Sequence, residues 1–170
     1  MAIRPIVLVP DPVLRQKAAP VARVDDTIRE LMDDMLETMY DAPGIGLAAP
    51  QIGLSSRVIV MDCSEDDEEP QPLKMANPEI IWSSEDTGTM EEGCLSIPGH
   101  RGDVTRKRAI SVRYLDENGA EQELTTEGLL AVCIQHEIDH LDGVLFVDYL
   151  SRIKRDMILR KMAKEARQGV

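Results

Sequence analysis

The stretch Leu129-Leu130-Ala131-Val132-Cys133-Ile134-Gln135-His136-Glu137-Ile138-Asp139-His140 decides the fold. An apolar run leads directly into two histidines four positions apart. The segment from about Glu127 to Leu141 is predicted as a helix, with Gly143 as its C-terminal stop. Its centre is apolar on all sides, so it belongs inside the molecule rather than on it. At i and i+4, both imidazoles project from one face, a turn apart, and reach a common ion. Glu137 stands about 100° from His136 around the axis. From there it is better placed to touch a water at the ion than to bind the ion itself. Two His and a Glu are costly to bury unless they are paired or ligating, which weighs against a chance H-E-x-x-H.

Around this helix the flanking elements can be read. Ile28, Leu31, Met32, Met35, Leu36 and Met39 form one apolar stripe, so a helix is predicted over about Thr27–Tyr40. Asp25, Asp26 or Thr27 would cap it, and Thr27 with Glu30 fits a capping box. Pro43 and Gly44 stop it. Between Arg57 and Val112, short apolar runs such as Val58-Ile59-Val60-Met61 and Ile80-Ile81-Trp82 alternate with turn residues. Ile110, Val112 and Tyr114, the turn Asp116-Glu117-Asn118-Gly119, and the return Glu121–Thr125 predict an antiparallel hairpin. A third helix starts near Leu150, with Leu150, Ile153, Met157 and Met162 assigned to its packing side. Residues 151–170 carry seven Lys or Arg against two acids, net +5, leaving −17 on residues 1–150. The fold class that follows is α+β: antiparallel sheets around a central H-E-x-x-H helix, with one helix toward each terminus, in a single domain over 1–170.

Composition narrows the function. The 170 residues are 43% apolar and carry a net charge of −12, against a general nucleic-acid binder such as a DNA-binding protein. No apolar run approaches the length of a membrane span, and the N-terminal ten residues are too short and proline-broken for a signal peptide. Three cysteines make no disulfide framework, as expected of a reducing cytosol. Asp62–Glu69, with six acids, reads as a solvated loop.

Two histidines need a third ligand. Cys133 shares their helix face but is about 7 Å short of the ion's level along the axis. Cys63 sits beside the acidic loop with no supporting context. Cys94 lies in Glu91-Glu92-Gly93-Cys94-Leu95-Ser96, where Gly93 permits an unusual backbone and a strand end could present a thiolate. His100 follows a Pro-Gly turn. A further cluster, Gly44-Ile45-Gly46-Leu47-Ala48-Ala49-Pro50-Gln51, suits a loop that lets a ligand approach the backbone, but it is no phosphate-binding fingerprint.

Gly44–Gln51, Glu92-Gly93-Cys94-Leu95-Ser96 and Gln135–His140 resemble, in order, the three signature motifs of the peptide deformylase family, and Pro10–Arg15 is similar to that family's N-terminal segment. The resemblance implies removal of the formyl group from N-terminal formyl-methionine of nascent bacterial polypeptides, with release of formate. It implies one divalent ion held by Cys94, His136 and His140, natively ferrous iron, with zinc, nickel or cobalt as replacements, and water in the fourth position as nucleophile. Glu137 takes the general acid/base position, and the side chain of Gln51 and the N–H of Leu95 take the oxyanion-stabilising ones. Gly44, Ile45, Gly46 and Gly93 would line the peptide groove, and Leu129 and Cys133, with Val132 between them, a methionine pocket. A metallopeptidase, or a closed zinc site of Cys94, His100, His136 and His140, are the rival expectations. The basic C-terminal helix is a candidate ribosome contact.

Overall fold

The computed structural model describes residues 2–168. Helix α1 spans Asp26–Asp41, α2 Gly128–Leu141 and α3 Arg152–Arg167. Seven strands, β1 (Gly46–Ala48), β2 (Val58–Met61), β3 (Leu73–Ser83), β4 (Thr87–Cys94), β5 (Ile97–Lys107), β6 (Ala109–Leu115) and β7 (Glu121–Glu127), form two antiparallel sheets. One has the order β1-β2-β3-β6-β7, and the other is the β4–β5 hairpin. The α+β expectation holds, as does the β6–β7 hairpin, whose register pairs Val112 with Leu124.

Strand β2 shows why the larger sheet is covered on both faces. Side chains of a strand alternate between faces. Val58 and Val60 join α1 residues Leu31, Met32, Met35, Leu36 and Met39 in one core cluster. Ile59 and Met61 join Ala131, Ile134, Ile138 and Leu141 of α2 in another. A third cluster joins Leu14, Ile97, Val104, Phe146, Ile158 and Met162, packing α3 near the β4–β5 hairpin. Helix α2 is thus largely enclosed from Ala131 to Leu141, but the first turn departs from the all-round burial its apolar run predicts: Leu129 is 44% exposed, with Leu130 and Val132 half-buried. Its C-terminal carbonyl at Leu141 accepts from Ala18 N (2.7 Å) and Arg57 Nη1 (3.1 Å). Gly143 ends it at φ 76°, and a Cβ there would stand 2.5 Å from the Arg15 carbonyl oxygen, so only glycine fits.

Three local expectations are corrected. Helix α1 is capped by Asp25, whose carboxylate accepts from Ile28 N at 3.0 Å, and not by a Thr27–Glu30 box. Asp62 is not part of the solvated loop. It is buried, accepting from the Tyr40 hydroxyl (2.5 Å), the Ser64 hydroxyl (2.6 Å) and Gln71 N (3.2 Å), while residues 65–71 are exposed as expected. On α3, Ile153 and Met157 are 85% and 59% exposed, and the buried side chains are Ile158 and Met162. At 100° per residue, Met162 lies half a turn from Ile153, so the four residues first assigned to one side cannot share it.

Candidate metal centre

Helix α2 brings His136, Glu137 and His140 to one buried place, none more than 8% exposed. The β4–β5 hairpin brings Cys94 there from the opposite side. A register irregularity between Gly93 and Cys94 turns the end of β4 inward. The Cys94 sulfur and one nitrogen of each imidazole lie within 4.8 Å of one another, and His100 is outside this group. Nε2 of His136 and of His140 stand 3.2 Å apart, and Cys94 Sγ is 3.4 Å from His140 Nε2. Tetrahedral zinc with nitrogen at about 2.0–2.1 Å and sulfur at about 2.3 Å has N–N and N–S edges of about 3.3 and 3.6 Å. The donor set therefore already has nearly the spacing of a tetrahedral site with three protein ligands. The chemistry fits too: a thiolate and two imidazoles suit first-row divalent ions. His140 Nδ1 and Glu137 Oε1 are buried without a hydrogen-bond partner among the described residues.

A network behind the site holds the first imidazole. His136 Nδ1 bonds to Glu92 Oε1 at 2.8 Å. Arg106 clamps the same carboxylate through Nε (2.7 Å) and Nη2 (3.0 Å) and reaches Asp139 with Nη1 (2.9 Å). The Tyr149 hydroxyl donates to Asp139 at 2.7 Å, and the Arg106 guanidinium lies over the Tyr149 ring. Burial alone would raise the Glu92 carboxyl, but the bonds from His136 and Arg106 outweigh it and hold it below its ordinary value. A histidine oriented by a carboxylate in this way is fixed in tautomer and ring plane. Arg106 and Glu92 were missed in the sequence. The available signal was the alternation Gly102, Val104, Arg106 along β5, which turns Arg106 inward, where a guanidinium must be paired.

Glu137 is pushed up to about 7, burial being the largest cause, while the His136 and Arg106 charges pull the other way. A carboxyl poised near neutrality suits proton transfer. Gln51, 1% exposed, stands in a single turn of 3₁₀ helix after β1. Its Oε1 accepts from Ala48 N at 2.9 Å, which aims Nε2 at Cys94 Sγ (3.4 Å) and Ser96 Oγ (3.2 Å). A cleft of about 760 Å³ opens over these groups. Gly44, Ile45, Gly46, Gly93, Leu95, Leu129, Val132 and Cys133 all line it, so the candidate substrate residues come together. Gly93 does so in strand pairing with Arg101, without a positive φ, so the unusual backbone expected there is not used. Gly46 is the tightest position: a Cβ would fall 2.5 Å from Glu137 Oε2 and 2.8 Å from Cys133 Sγ.

The family profile described as polypeptide deformylase matches residues 3–156. The chain belongs to that family. It is 56% identical over 167 residues to the peptide deformylase of Rhizobium meliloti (strain 1021), covering 98% of this chain and 96% of that one. Among solved structures, peptide deformylase from Ehrlichia chaffeensis superposes with a TM-score of 0.93 at 41% identity, covering 99% of both chains. A peptide deformylase from the same organism in complex with actinonin gives 0.92 at 43% identity, with 97% and 98% covered. The polypeptide deformylase fold and the fold described above are the same, and the three motifs that carried the resemblance line one cleft.

Proposed function

We propose that this chain removes the formyl group from N-terminal formyl-methionine of nascent polypeptides, releasing formate, and that residues 1–170 act as one catalytic domain. The observation that carries the proposal is the convergence of Cys94, His136 and His140 beside the buried Glu137, beneath a cleft with an apolar wall. Cys94, His136 and His140 would hold a divalent ion, natively ferrous iron, replaceable by zinc, nickel or cobalt, which supplies a Lewis acid that acidifies water and steadies negative oxygen. Glu137 takes the proton of the attacking water and returns it to the departing amine nitrogen. The Gln51 amide and the Leu95 N–H donate to the formyl oxygen as its charge grows, each worth about 2.7–4 kcal/mol. Leu129, Val132 and Cys133 receive the methionine side chain, and Gly44, Ile45, Gly46 and Gly93 let the peptide backbone approach. The bacterial cytosol is the compartment this chemistry serves, and the exposed Arg160, Lys161 and Lys164 of α3 form the contact to the ribosome.

Formate release from a formyl-Met peptide, measured anaerobically with metal analysis, tests the reading. Wild type releases formate, and Glu137→Ala keeps its ion but loses about 10²–10⁴-fold in rate. A fully metallated wild type that releases none overturns the proposal. Ribosome affinity unchanged in an Arg160→Glu, Lys161→Glu, Lys164→Glu variant removes the docking assignment.

A further inference from the structure

Residues 2–9 run between α1 and the cleft without joining either sheet. Their backbone donors go to two places. At one end, Ala2 N donates to Asp34 Oδ1 (2.7 Å) and Arg4 N to Thr38 Oγ1 (2.9 Å), while Arg4 Nη2 and Nε grip Asp34 Oδ2 (2.7 and 3.0 Å). Asp34 and Thr38 are buried on α1. At the other end, Val7 N donates to Gln51 O (2.7 Å) and Val9 N to Ser96 O (3.0 Å). Those carbonyls belong to the two loops that carry the proposed oxyanion donors, Gln51 itself and the turn Cys94-Leu95-Ser96. Two residues of chain span at most about 7 Å, so both carbonyls are held on one short template. The template is seated, because Val9 is buried in one core cluster with Ile97 and Phe146. On the cleft side the same loops meet through side chains. Gln51 Nε2 donates to Ser96 Oγ (3.2 Å) and Cys94 Sγ (3.4 Å). When Nε2 turns to a formyl oxygen it gives up these two bonds, and the backbone bonds from Val7 and Val9 go on holding the loops.

We propose that residues 2–9 are a positioning strap: anchored on α1, they hold the backbones of Gln51 and Ser96 so that the Gln51 amide and the Leu95 N–H converge on the formyl oxygen. This rests on the deformylase reading. Val7 and Val9 act through Gln51 and Leu95 and not on the substrate. Donors aimed at a developing charge act mainly in the transition state, so a loosened strap lowers kcat and kcat/KM together and leaves KM in place.

Exchange of Val7 for its α-hydroxy acid tests this in the metal-loaded full chain, since an ester oxygen replaces the N–H and the side chain is kept. The ester is expected to lower kcat for a formyl-Met peptide about fivefold, what one ordinary hydrogen bond is worth, with KM within about twofold and metal content stoichiometric. In a Gln51→Ala background the same ester is expected to cost less than about twofold, because the donor it aims is gone. Equal losses in both backgrounds, or a raised KM with unchanged kcat, mark a merely structural role and overturn the proposal. Arg4→Ala, at the far anchor and outside the cleft lining, is the second variant. It is expected to lower kcat about threefold with the same dependence on Gln51, and Arg4→Lys, which keeps the ion pair, to restore most of it. Nuclear magnetic resonance of the zinc-loaded chain with isotope-labelled glutamine reads the same link without turnover. The Gln51 side-chain signals are expected to move in the ester and Arg4→Ala variants, and signals that stay in place in both overturn the proposal. This readout is independent of activity, so its failure is distinct from failure of the deformylase reading.

Discussion

Replacing Gly46 by Ala sets a methyl group 2.5 Å from Glu137 Oε2. Moving that contact out to 3.4 Å, the start of ordinary van der Waals distance, displaces the carboxylate or the β1 backbone by about 0.9 Å. Neither yields easily: Glu137 is 4% exposed on an enclosed helix, and β1 is held in register against Val60 and Met61 of β2. A misplacement of about 1 Å in a reacting group costs about 10²-fold in rate. Gly46→Ala is therefore expected to lower kcat/KM for formate release about 100-fold while losing about 1–3 kcal/mol of stability to overpacking. The metal content should stay stoichiometric, because no ligand atom is among the three nearest to the new methyl. Gly88→Ala is the control, since its Cβ meets Arg108 only at 3.4 Å and lies outside the cleft. Metal-loaded Gly46→Ala with activity within about threefold of wild type would refute the claim that this glycine keeps the space for Glu137.

Three other outcomes are expected. Glu92→Ala leaves the buried Arg106 with Asp139 as its one carboxylate partner and frees His136 Nδ1, so it should destabilise by about 1.5–3 kcal/mol in denaturant melts and weaken metal affinity about 10–100-fold by competitive chelation. Ile158→Ala should cost about 2–5 kcal/mol, whereas Ile153→Ala on the same helix should stay within about 0.5 kcal/mol. Asp34 is held below its ordinary value of 3.8: burial would raise it, but hydrogen bonds from the Arg4 side chain and Ala2 N more than offset that. A carboxyl depressed in the folded state stabilises fully above its unfolded value and loses that contribution as pH falls through the folded one. Melting temperatures from about pH 5 to about pH 2.5 should therefore fall more steeply for wild type than for Asp34→Asn.

What was legible in the chain followed from periodicity and from the cost of burying charge. The α1 stripe, the enclosed α2 and the turn at Asp116–Gly119 each carry their pattern locally. The His pair and Glu137 were legible because a buried helix cannot carry them idle. The third proposed ligand was not, since residue spacing left four candidates and only the motif order singled out Cys94. Arg106 and Glu92 escaped because their partnership joins two strands and a helix, and no local pattern records a cross-element pair. The face of α3 was misassigned because Ile153 and Met157 mimic a packing pair, while Ile158 and Met162, one residue on, make the real one. Asp62 looked solvated because its neighbours are, although its partners Tyr40 and Gln71 lie at a distance in sequence.

Cys94 and His140 are 46 residues apart in the chain, one at the end of a hairpin strand and the other on a helix. During synthesis Cys94 is made long before His140, and until α2 folds against the hairpin there is nowhere for an ion to be captured. With Cys94, His136 and His140 as the proposed ligands, a newly made copy would gain its ion only after α2 has formed, and ion uptake would report the completion of that packing.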